Sequence, residues 1–512
     1  NIGASKAIGN LNVQASALTV NGNLNLDGQL SVDVSAASEI SGAVSGTTAS
    51  VVKLGNGTLT LSGANTYSGT TTVSDGTLKL ANTNVSSQYS MASGATLELD
   101  VDSGTRDLPT VTFTGAGILR KTGAGDISTE AGSATFDLSD GALIDVQAGL
   151  FGTGGQSNDD LSSNESDLNV ASGATFSVTD NDAYFDKVTG GGTIQMGYQD
   201  NNLFVVGIGD SDSQFDGVFQ DSGFNGGTGI LNLVKQGTGT FTLTGSSTFT
   251  GGTTVSAGTL KAGASSTGSV TNGPFGTGTV TVADGASLDV HGQTIANAFS
   301  LSGTGVSSSG ALFNGSSTGA TVSGAISLAA NTSIQADGDL TLSGSIDGGY
   351  ALTLDASAPV TFGGIVGGTT PLGAVTINSA TDLTADLAFN AASLRQVAGS
   401  GTTTFTGALS TTAAAGIEVD GTNFDFNSTV SLTLGDLDID ADGTVRFNGL
   451  VTTSDVDSGL VTITNGGELT IAATGDMDLE GAFLQDGAAV VSTAGDITTT
   501  NDNVTFQTAT TL

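Results

Sequence analysis

A 28-residue block that occurs twice without a gap constrains the fold of this chain more than any other feature. Residues 53–80 read KLGNGTLTLSGANTYSGTTTVSDGTLKL, and residues 235–262 read KQGTGTFTLTGSSTFTGGTTVSAGTLKA. The two copies agree at 17 of 28 positions, and most differences keep the character of the side chain, as in Leu59 and Phe241. Internal repetition of this kind indicates a repeat architecture, in which similar units stack on one another.

Short runs of alternating apolar residues indicate that the repeating unit is built from strands. Leu59 and Leu61 flank a polar residue, as do Val280 and Val282. A period of two with polar residues between apolar ones is typical of a strand with one buried face. No stretch of a dozen residues carries a period of 3.6, so we expect nearly no helix.

Glycines set the spacing of these strands. A glycine followed by an alternating run recurs at Gly57, Gly76 and Gly94, with gaps of 19 and 18 residues. Parallel strands can do without helical crossovers if the chain coils, because each strand then lies on the matching strand of the next coil. We therefore predict an all-β fold, a single-stranded parallel β-helix (β-solenoid) of about 18–22 residues per coil. Roughly 25 coils rising ~4.8 Å each would form a rod about 120 Å long.

The repeated block also resembles a known family. It is similar to the passenger-associated repeat of bacterial autotransporters and related surface proteins. That repeat has a Lys-x-Gly-x-Gly-Thr-Leu-x-Leu stretch, an Asn-Thr-Tyr-x-Gly turn and a Gly-Thr-Leu ending, which lie here at 53–61, 65–69 and 76–78. The pattern recurs more loosely from Lys235, and a third, eroded copy begins at Lys121. The resemblance covers about a tenth of the chain, and it implies a secreted, right-handed, filamentous adhesin-like β-helix without catalytic residues.

Composition divides the chain into three zones. Residues 1–150 are predicted solenoid with the first repeat (53–80), and residues 231–512 are regular solenoid with the second repeat (235–262). Residues 151–230 hold 9 of the 27 aromatic residues and dense acidic runs, so we expect wider coils or a loop excursion there. Wider coils with phenylalanines stacked inside are the simpler interpretation, because stacked aromatic rings are ordinary core filling. A binding platform is the alternative.

Charge and cysteine content indicate the setting in which the protein works. Lysine and arginine number 11 against 49 acidic residues, which gives a formal charge of −38 and excludes nucleic acid and anionic lipid as partners. Solubility of a Gly/Thr-rich chain explains this acidity, and calcium uptake is the alternative. The chain has no cysteine, which fits export in an unfolded state. It begins at Asn1 without a signal peptide, so we expect a processed part of a larger protein, located at the bacterial cell surface or extracellularly.

Acidic loops supply the candidate metal ligands. The candidates are Asp180, Asp182, Asp186, Asp210, Asp212 and Asp216. Carboxylate oxygens suit calcium, and chain bends can bring them together. Asp438, Asp440 and Asp442 imitate the start of a calcium loop, but the alternation places them on the outer face of a strand. We expect no cofactor, with calcium as the alternative left open.

Catalytic motifs are incomplete. Residues 209–213 (GDSDS) resemble the Gly-Asp-Ser-Gly-Ser of serine-protease autotransporters, but Asp212 replaces a glycine and the sole histidine, His291, follows the motif instead of preceding it. Polysaccharide lyases and hydrolases of β-helix type need a paired set of carboxylates or a positioned base. Only residues 158–160 offer a paired carboxylate in a candidate loop. We predict no catalytic residue and no enzyme activity.

The sequence therefore predicts a non-catalytic extracellular bacterial surface protein, a rod-like adhesin or structural spacer that is part of a larger secreted chain. The alternative is a subunit of a self-assembled extracellular fibre, sheath or surface layer, and a polysaccharide lyase or hydrolase is the third candidate. We expect self-association end to end or side by side, because a solenoid cut between coils exposes an unpaired strand edge. This association should grow with salt or added calcium. A glycan or another cell-surface molecule is the further candidate partner, and we expect no membrane insertion by this segment.

Overall fold

Parallel strands stacked coil on coil are the main regular structure of the described residues in the computed structural model. It describes residues 1–3, 5–81, 86–129, 132–153, 160–178, 181–196, 201–221, 228–456 and 458–511. The chain divides into two units, Asn1–Thr254 with Thr271–Gly278, and Val255–Val270 with Thr279–Leu512. The strands make about 23 turns of about 21 residues, with 1% helix. These values confirm the predicted parallel β-solenoid, with slightly fewer coils than the predicted number.

Three parallel sheets surround the core of unit 1. Sheet 1A contains Leu11–Ala15, Gln29–Val34, Ser50–Leu54, Thr71–Val73, Gln88–Met91, Val111–Gly115, Ala134–Leu138, Ala183–Phe185, Asn201–Val206 and Ile230–Lys235. Sheet 1B contains Thr19–Val20, Ser38–Ile40, Thr58–Leu61, Thr77–Ala81, Thr96–Asp100, Ile118–Thr122, Leu143–Val146, Asp167–Val170, Val188–Gly190, Ser213–Phe215 and Thr240–Leu243. Sheet 1C contains Thr105–Asp107, Asp126–Ser128, Leu150–Thr153, Thr175–Val178, Thr193–Met196 and Val218–Gln220. Leu24–Asn25 and Val44–Ser45 form a short pair, and the strand Thr253–Val255 lies where the chain divides.

Unit 2 repeats this arrangement. Sheet 2A contains Thr294–Ile295, Ala320–Val322, Leu340–Leu342, Val360–Phe362, Leu383–Ala385, Thr402–Phe405, Asn423–Phe426, Val445–Phe447, Leu469–Ile471, Val491–Thr493 and Thr510–Thr511. Sheet 2B contains Val280–Val282, Phe299–Gly303, Ile326–Ala336, Ile346–Asp347, Phe389–Gln396, Leu409–Thr411, Val430–Leu432, Val451–Thr453, Met477–Leu479 and Ile497–Thr499. Sheet 2C contains Gly258–Ala262, Ala286–Asp289, Leu312–Asn314, Leu352–Ala356, Leu372–Ser379, Ile417–Gly421, Leu437–Ala441, Val461–Asn465, Phe483–Gln485 and Val504–Phe506. The long strands Ile326–Ala336 and Phe389–Gln396 continue from sheet 2B into sheet 2C. One 3-10 turn, Val306–Ser308, interrupts this unit.

The register stacks equivalent side chains on one another. Leu78 pairs with Leu59 of the preceding coil and with Leu97 of the following coil. Because successive side chains of a strand point to opposite faces, one inward residue fixes the inward set of the whole strand. The inward residues of the two repeat copies are all at most 1% exposed: Leu59, Leu61, Val73, Leu78, Phe241, Leu243, Val255 and Leu260.

Glycines of the repeat serve two different geometric needs. Gly76 and Gly258 have positive φ angles of 63° and 64°, a region that side chains disfavour. Gly57 and Gly239 lie against the preceding coil instead, where an added Cβ would sit 2.6 Å from Ala36 N and 2.5 Å from a backbone oxygen, respectively. Glycine is therefore required at each of these four turns, for conformation at two and for close approach at two.

Aromatic side chains fill the core of unit 1 as a continuous stack. Its ring centroids lie 5.2 to 6.2 Å apart along the series Tyr89, Phe113, Phe136, Phe151, Phe176, Phe185, Phe204, Phe219 and Phe249. Six phenylalanines of the aromatic-rich zone, 151–230, are fully buried. Two further aromatics of this zone, Tyr198 and Phe224, lie outside the described residues. The described strands of the zone continue sheets 1A, 1B and 1C. No helix of the described chain is long and apolar enough to cross a membrane.

We predict that Leu61→Asp destabilises unit 1 strongly, because Leu61 is 0% exposed and the new carboxylate would be buried without a partner. The cost should be on the order of several kcal/mol. The neighbouring outward residue Thr60, which pairs with Glu39 and Lys79, provides the matched control Thr60→Asp. Thermal unfolding followed by circular dichroism should show a large fall in midpoint for the first variant and a small change for the second. Equal midpoints for the two variants would show that the inward register is wrong.

Candidate functional site

Three lysines occupy inward positions at or next to strand ends, in a core that is mainly apolar. Lys53, Lys121 and Lys235 are each 0% exposed. Each begins a Lys-x-Gly-x-Gly sequence, and the strand alternation turns its side chain inward. A buried ammonium group requires hydrogen-bond acceptors, so the surroundings of these three side chains are the most constrained polar sites of the repeat.

Backbone carbonyl groups surround the ammonium group of the first lysine. Lys53 Nζ donates to the carbonyl oxygens of Leu54 at 2.8 Å, at the end of its own strand, and of Gly55 at 2.6 Å, in the turn that follows. It also donates to the carbonyl oxygen of Asp75, 3.2 Å away in the next coil. The side chain therefore joins two successive turns and satisfies carbonyl groups that have left the strand ladder.

The segment that begins at Lys121 has the same geometry. Lys121 Nζ donates to the carbonyl oxygens of Thr122 at 2.9 Å, Gly123 at 2.7 Å and Ala148 at 2.9 Å. The first two acceptors are again the two residues that follow the lysine, and the third lies in the next coil. We call these arrangements of Lys53, Lys121 and Lys235 with their carbonyl acceptors the lysine corners.

Lys235 forms the third lysine corner. Its Nζ donates to the carbonyl oxygens of Gln236 and of Gly237, the latter at 2.9 Å. Burial lowers the pKa of Lys235 to about 8, and the negative charges of Asp210, Asp212 and Asp186 act in the opposite direction. Burial likewise lowers the pKa of Lys53 and of Lys121, each opposed by two nearby aspartates. Removal from water therefore outweighs the attraction of the carboxylates at each corner.

Three of the predicted calcium ligands thus lie near a cation that the chain itself supplies. Asp210 Oδ1 and Asp212 Oδ1 accept hydrogen bonds at 2.6 Å from the backbone N–H groups of Thr238 and Thr240, one coil further on. Asp186 is 3% exposed, and its Oδ1 accepts the backbone N–H of the turn residue Gly209 at 2.9 Å. These oxygens stabilise turns of the neighbouring coil.

The remaining candidate aspartates are spread over other turns. Asp182 Oδ1 accepts the backbone N–H of Leu203 at 2.8 Å. Asp216 Oδ1 accepts hydrogen bonds from Gln214 Nε2 at 2.8 Å and from Thr244 Oγ1 at 2.7 Å. Asp180 lies outside the described residues. Within the described ranges, no group of three or more His, Cys, Asp or Glu side chains is arranged to hold a metal ion.

The same use of side-chain oxygens recurs at turns along both units. An aspartate or asparagine oxygen accepts a backbone N–H about one coil away in the pairs Asn23–Ala43, Asp126–Leu150, Asn331–Ala351, Asp382–Thr402, Asn423–Thr444 and Asp476–Asp496. Short Asx side chains suit this task because they reach a backbone donor while tolerating turn conformations. We call these contacts inter-coil caps.

Other signature residues of the repeat also make structural contacts. Asn65 Oδ1 accepts the backbone N–H of Val44 at 2.9 Å, and Tyr67 shares a 2.8 Å hydrogen bond with Thr71 Oγ1. Burial raises the pKa of Tyr67 to about 12. In the second copy, Ser247 takes the place of Asn65 and its Oγ accepts the backbone N–H of Phe219 at 3.0 Å. The Asn65 and Ser247 contacts join neighbouring coils, and the Tyr67 contact lies within one coil.

His291 and most of the GDSDS motif lie in turns, whereas Asp438 and Asp440 lie on the outward face of the strand Leu437–Ala441. His291 has a positive φ of 42°, and its Nδ1 lies 3.2 Å from Asp289 Oδ2. The GDSDS motif, 209–213, belongs to unit 1 and His291 to unit 2. In the predicted carboxylate pair, Asp159 lies outside the described residues, while Asp160 Oδ1 accepts the backbone N–H of Ser162 at 2.9 Å.

Sequence reasoning missed the lysine corners although a signal was present. Lys53 lies two residues after Val51 in one strand, and Lys121 lies two residues after Leu119 in another. Each lysine therefore points to the same face of its strand as an apolar core residue. A cation at a core position predicts a buried, fully hydrogen-bonded ammonium group.

Comparison with known proteins supports the repeat assignment. The family model of the passenger-associated-transport-repeat matches residues 51–80 and 233–262. This match confirms the resemblance and is consistent with the passenger β-helix of an autotransporter. The repeat family is usually non-catalytic, and it implies secretion to the cell surface or the extracellular space. No curated protein and no solved structure matches the chain.

We predict that Lys235→Met lowers the melting midpoint, because carbonyl groups at this corner lose their donor, at a cost of about 1–3 kcal/mol for each unsatisfied group. The difference in melting midpoint between the Lys235→Met variant and the unaltered chain should also depend on pH. The folded-state pKa is about 8, below the ordinary value of 10.5, so the unfolded state binds more protons between these pH values. The stability contributed by Lys235 therefore rises as pH increases through this window, and the variant lacks that rise.

Melting curves at several pH values between 7 and 11 measure this effect. The control is Lys261→Met, which removes a lysine whose side chain points outward from its strand. If the difference in melting midpoint between the Lys235 variant and the unaltered chain stays constant from pH 7 to 11, the lowered pKa of the buried Lys235 is contradicted.

Proposed function

We propose that this chain is a non-catalytic passenger segment that works outside the bacterial cell as an adhesin or a structural spacer. The observation that carries the proposal is the use of the repeat's signature side chains. Lys53, Lys235, Asn65 and Tyr67 are buried, and the hydrogen bonds of the first three include backbone groups of their own or neighbouring turns. Residues used in this way build a long surface and are not available to a substrate.

The outward faces of the sheets support a role in contact or spacing. Their residues are mainly Thr, Ser, Asn and acids, stacked in register, as in the series Asn390, Ser410, Ser431, Thr452, Asp478 and Thr498 of sheet 2B. Polar rungs of this kind keep an extended parallel sheet soluble and present a regular pattern of hydroxyl and carboxylate groups to the medium. Such a surface suits repeated weak contacts, for which many equivalent positions add up to strong attachment.

We predict that fluorescent microspheres coated with the folded chain attach to cell or glycan-coated surfaces. Microspheres coated with albumin and with the heat-denatured chain serve as controls. Attachment that requires the folded chain supports the adhesive role, and no attachment to any surface leaves the role of spacer. Release of reducing sugar ends or unsaturated uronates from polysaccharides would contradict the non-catalytic proposal. Ordered polymers in negative-stain images of the purified chain would favour a fibre subunit instead.

A further inference from the structure

Unit 2 contains a trough where the chain turns from sheet 2C to sheet 2A in five successive coils. The turns comprise residues 357–359, 380–382, 397–401, 422 and 442–444. Two cavities of about 510 Å³ and 310 Å³ lie along them. Both are lined by Ala398, Gly399 and Asp442, so the two cavities lie next to each other, and we call them together the trough. Five rungs spaced ~4.8 Å apart give it a length of about 19 Å along the coil direction.

The trough arises because these turns differ in length and carry small residues. Ala356 and Ala380 are buried in its floor, and Ala398 and Gly399 form the rim of the longest turn. At Gly399, an added Cβ would lie 2.6 Å from Nε2 of the buried Gln396. A larger residue there would displace the glutamine, so glycine lets this turn lie low over the core.

Hydroxyl groups line the first part of the trough. The lining hydroxyl residues are Ser357, Ser379, Thr381, Ser400 and Thr422. Ser379 Oγ donates to Asp355 Oδ1 at 2.9 Å, and Thr422 Oγ1 donates to the carbonyl oxygen of Gly399 at 2.9 Å. Each of these hydroxyl oxygens can also accept a hydrogen bond, so the wall presents polar groups to any ligand seated against it.

One hydroxyl of this wall is unsatisfied. Thr381 Oγ1 is buried and has no hydrogen-bond partner among the described residues. A buried hydroxyl group without a partner destabilises the fold, because it has lost its hydrogen bonds to water without gaining others. Rotation about χ1 moves the hydroxyl among three staggered positions, which allows Thr381 to offer its hydroxyl to a ligand in the trough. The hydroxyl group of Thr381 is therefore free to form a hydrogen bond with a bound ligand.

Carboxylates line the other part of the trough. Asp420, Asp440 and Asp442 surround the smaller cavity, and Asp420 lies directly beside Asp440 in adjacent strands. Partial burial, followed by the charges of Asp440 and Glu418, raises the pKa of Asp420. The positive charge of Arg395 acts in the opposite direction on the pKa of Asp420, and Arg395 forms an ion pair with Glu418 at 3.4 Å. Negative charge therefore predominates at this end.

We propose that this trough binds a glycan chain that lacks acidic groups, and that glycans with free amino groups bind most tightly. The hydroxyl wall matches the hydroxyl groups of sugars, the alanine and glycine floor matches their apolar ring faces, and the carboxylates accept hydrogen bonds from an ammonium group. The like charges of Asp420 and Asp440 repel uronic acids and sulfated sugars. The inference rests on the proposed adhesive role and identifies the class of molecule that unit 2 contacts.

Titration calorimetry of the full chain with three tetrasaccharides tests this site. The probes are a glucosamine tetramer, an N-acetylglucosamine tetramer and a galacturonic acid tetramer, at mildly acidic pH, where the amino groups are charged and most aspartates are ionised. We expect the glucosamine tetramer to bind at least tenfold more tightly than the N-acetylated tetramer, and the galacturonic acid tetramer not to bind. Salt should weaken the first interaction most, because the charges involved are partly exposed.

Variants assign the binding to the trough. Ala398→Phe fills the depression at an exposed position, and Ala415→Phe places the same side chain at an exposed position outside it. Asp440→Asn removes a lining charge, and Asp478→Asn removes an exposed charge from sheet 2B. We expect each trough variant to weaken binding at least tenfold and each control variant to leave it unchanged. Thr381→Val should weaken binding without lowering the melting midpoint, because its hydroxyl makes no bond in the free chain.

Binding of the galacturonic acid tetramer as tight as that of the glucosamine tetramer would overturn the proposal. So would binding that the trough variants do not affect, or the absence of binding by all three probes. These failures are distinguishable from failure of the adhesive role. If microspheres coated with the Ala398→Phe chain attach to cells as well as those coated with the unaltered chain, the adhesive role stands and the contact lies on another surface of the protein.

Discussion

The parallel hydrogen-bond register between successive coils is the constraint on which the rest of this structure depends. Each strand residue lies on its counterpart in the next coil, about 4.8 Å away, so a chemical property placed on one rung is extended by the next. The aromatic stack of unit 1 is one result. Another is the outward series Thr294, Thr321, Thr341, Thr361, Thr384 and Thr404 on sheet 2A. Surfaces and core are both built by this repetition.

Turns pose the main difficulty for such a fold, because there the backbone leaves the ladder and its polar groups need other partners. The chain meets this need in two ways. Lysine corners supply donors to carbonyl groups, and inter-coil caps supply acceptors to N–H groups. Part of the large negative charge thereby has a structural explanation, since aspartates such as Asp210 and Asp382 hold neighbouring turns together. The acids predicted as calcium ligands include members of this class.

Sequence patterns predicted the strands better than the turns. Alternation identified Leu59 and Leu61 as residues of a buried strand face, because successive side chains of a strand point to opposite faces. That rule needs no knowledge of distant contacts. The same pattern places Lys53 at an inward position. Its hydrogen-bond acceptors could not be predicted, because they come from two coils whose alignment is known only from the strand register. The trough of unit 2 was not predictable, because it depends on the relative lengths of five turns separated by about 20 residues each. The grouping of Asp186, Asp210 and Asp212 near Lys235 has the same origin.

A distance across several rungs tests the central claim most directly. The chain has no cysteine, so Thr321→Cys and Thr404→Cys can be introduced together and labelled with nitroxides without removing any native cysteine. The two sites are separated by four rungs of sheet 2A, Thr321 to Thr341, Thr361, Thr384 and Thr404. Pulsed electron paramagnetic resonance should give a narrow distribution near ~19 Å, broadened by the label linkers. A distribution centred beyond about twice that distance, or one without a defined maximum, would contradict the coil register on which this description of the protein depends.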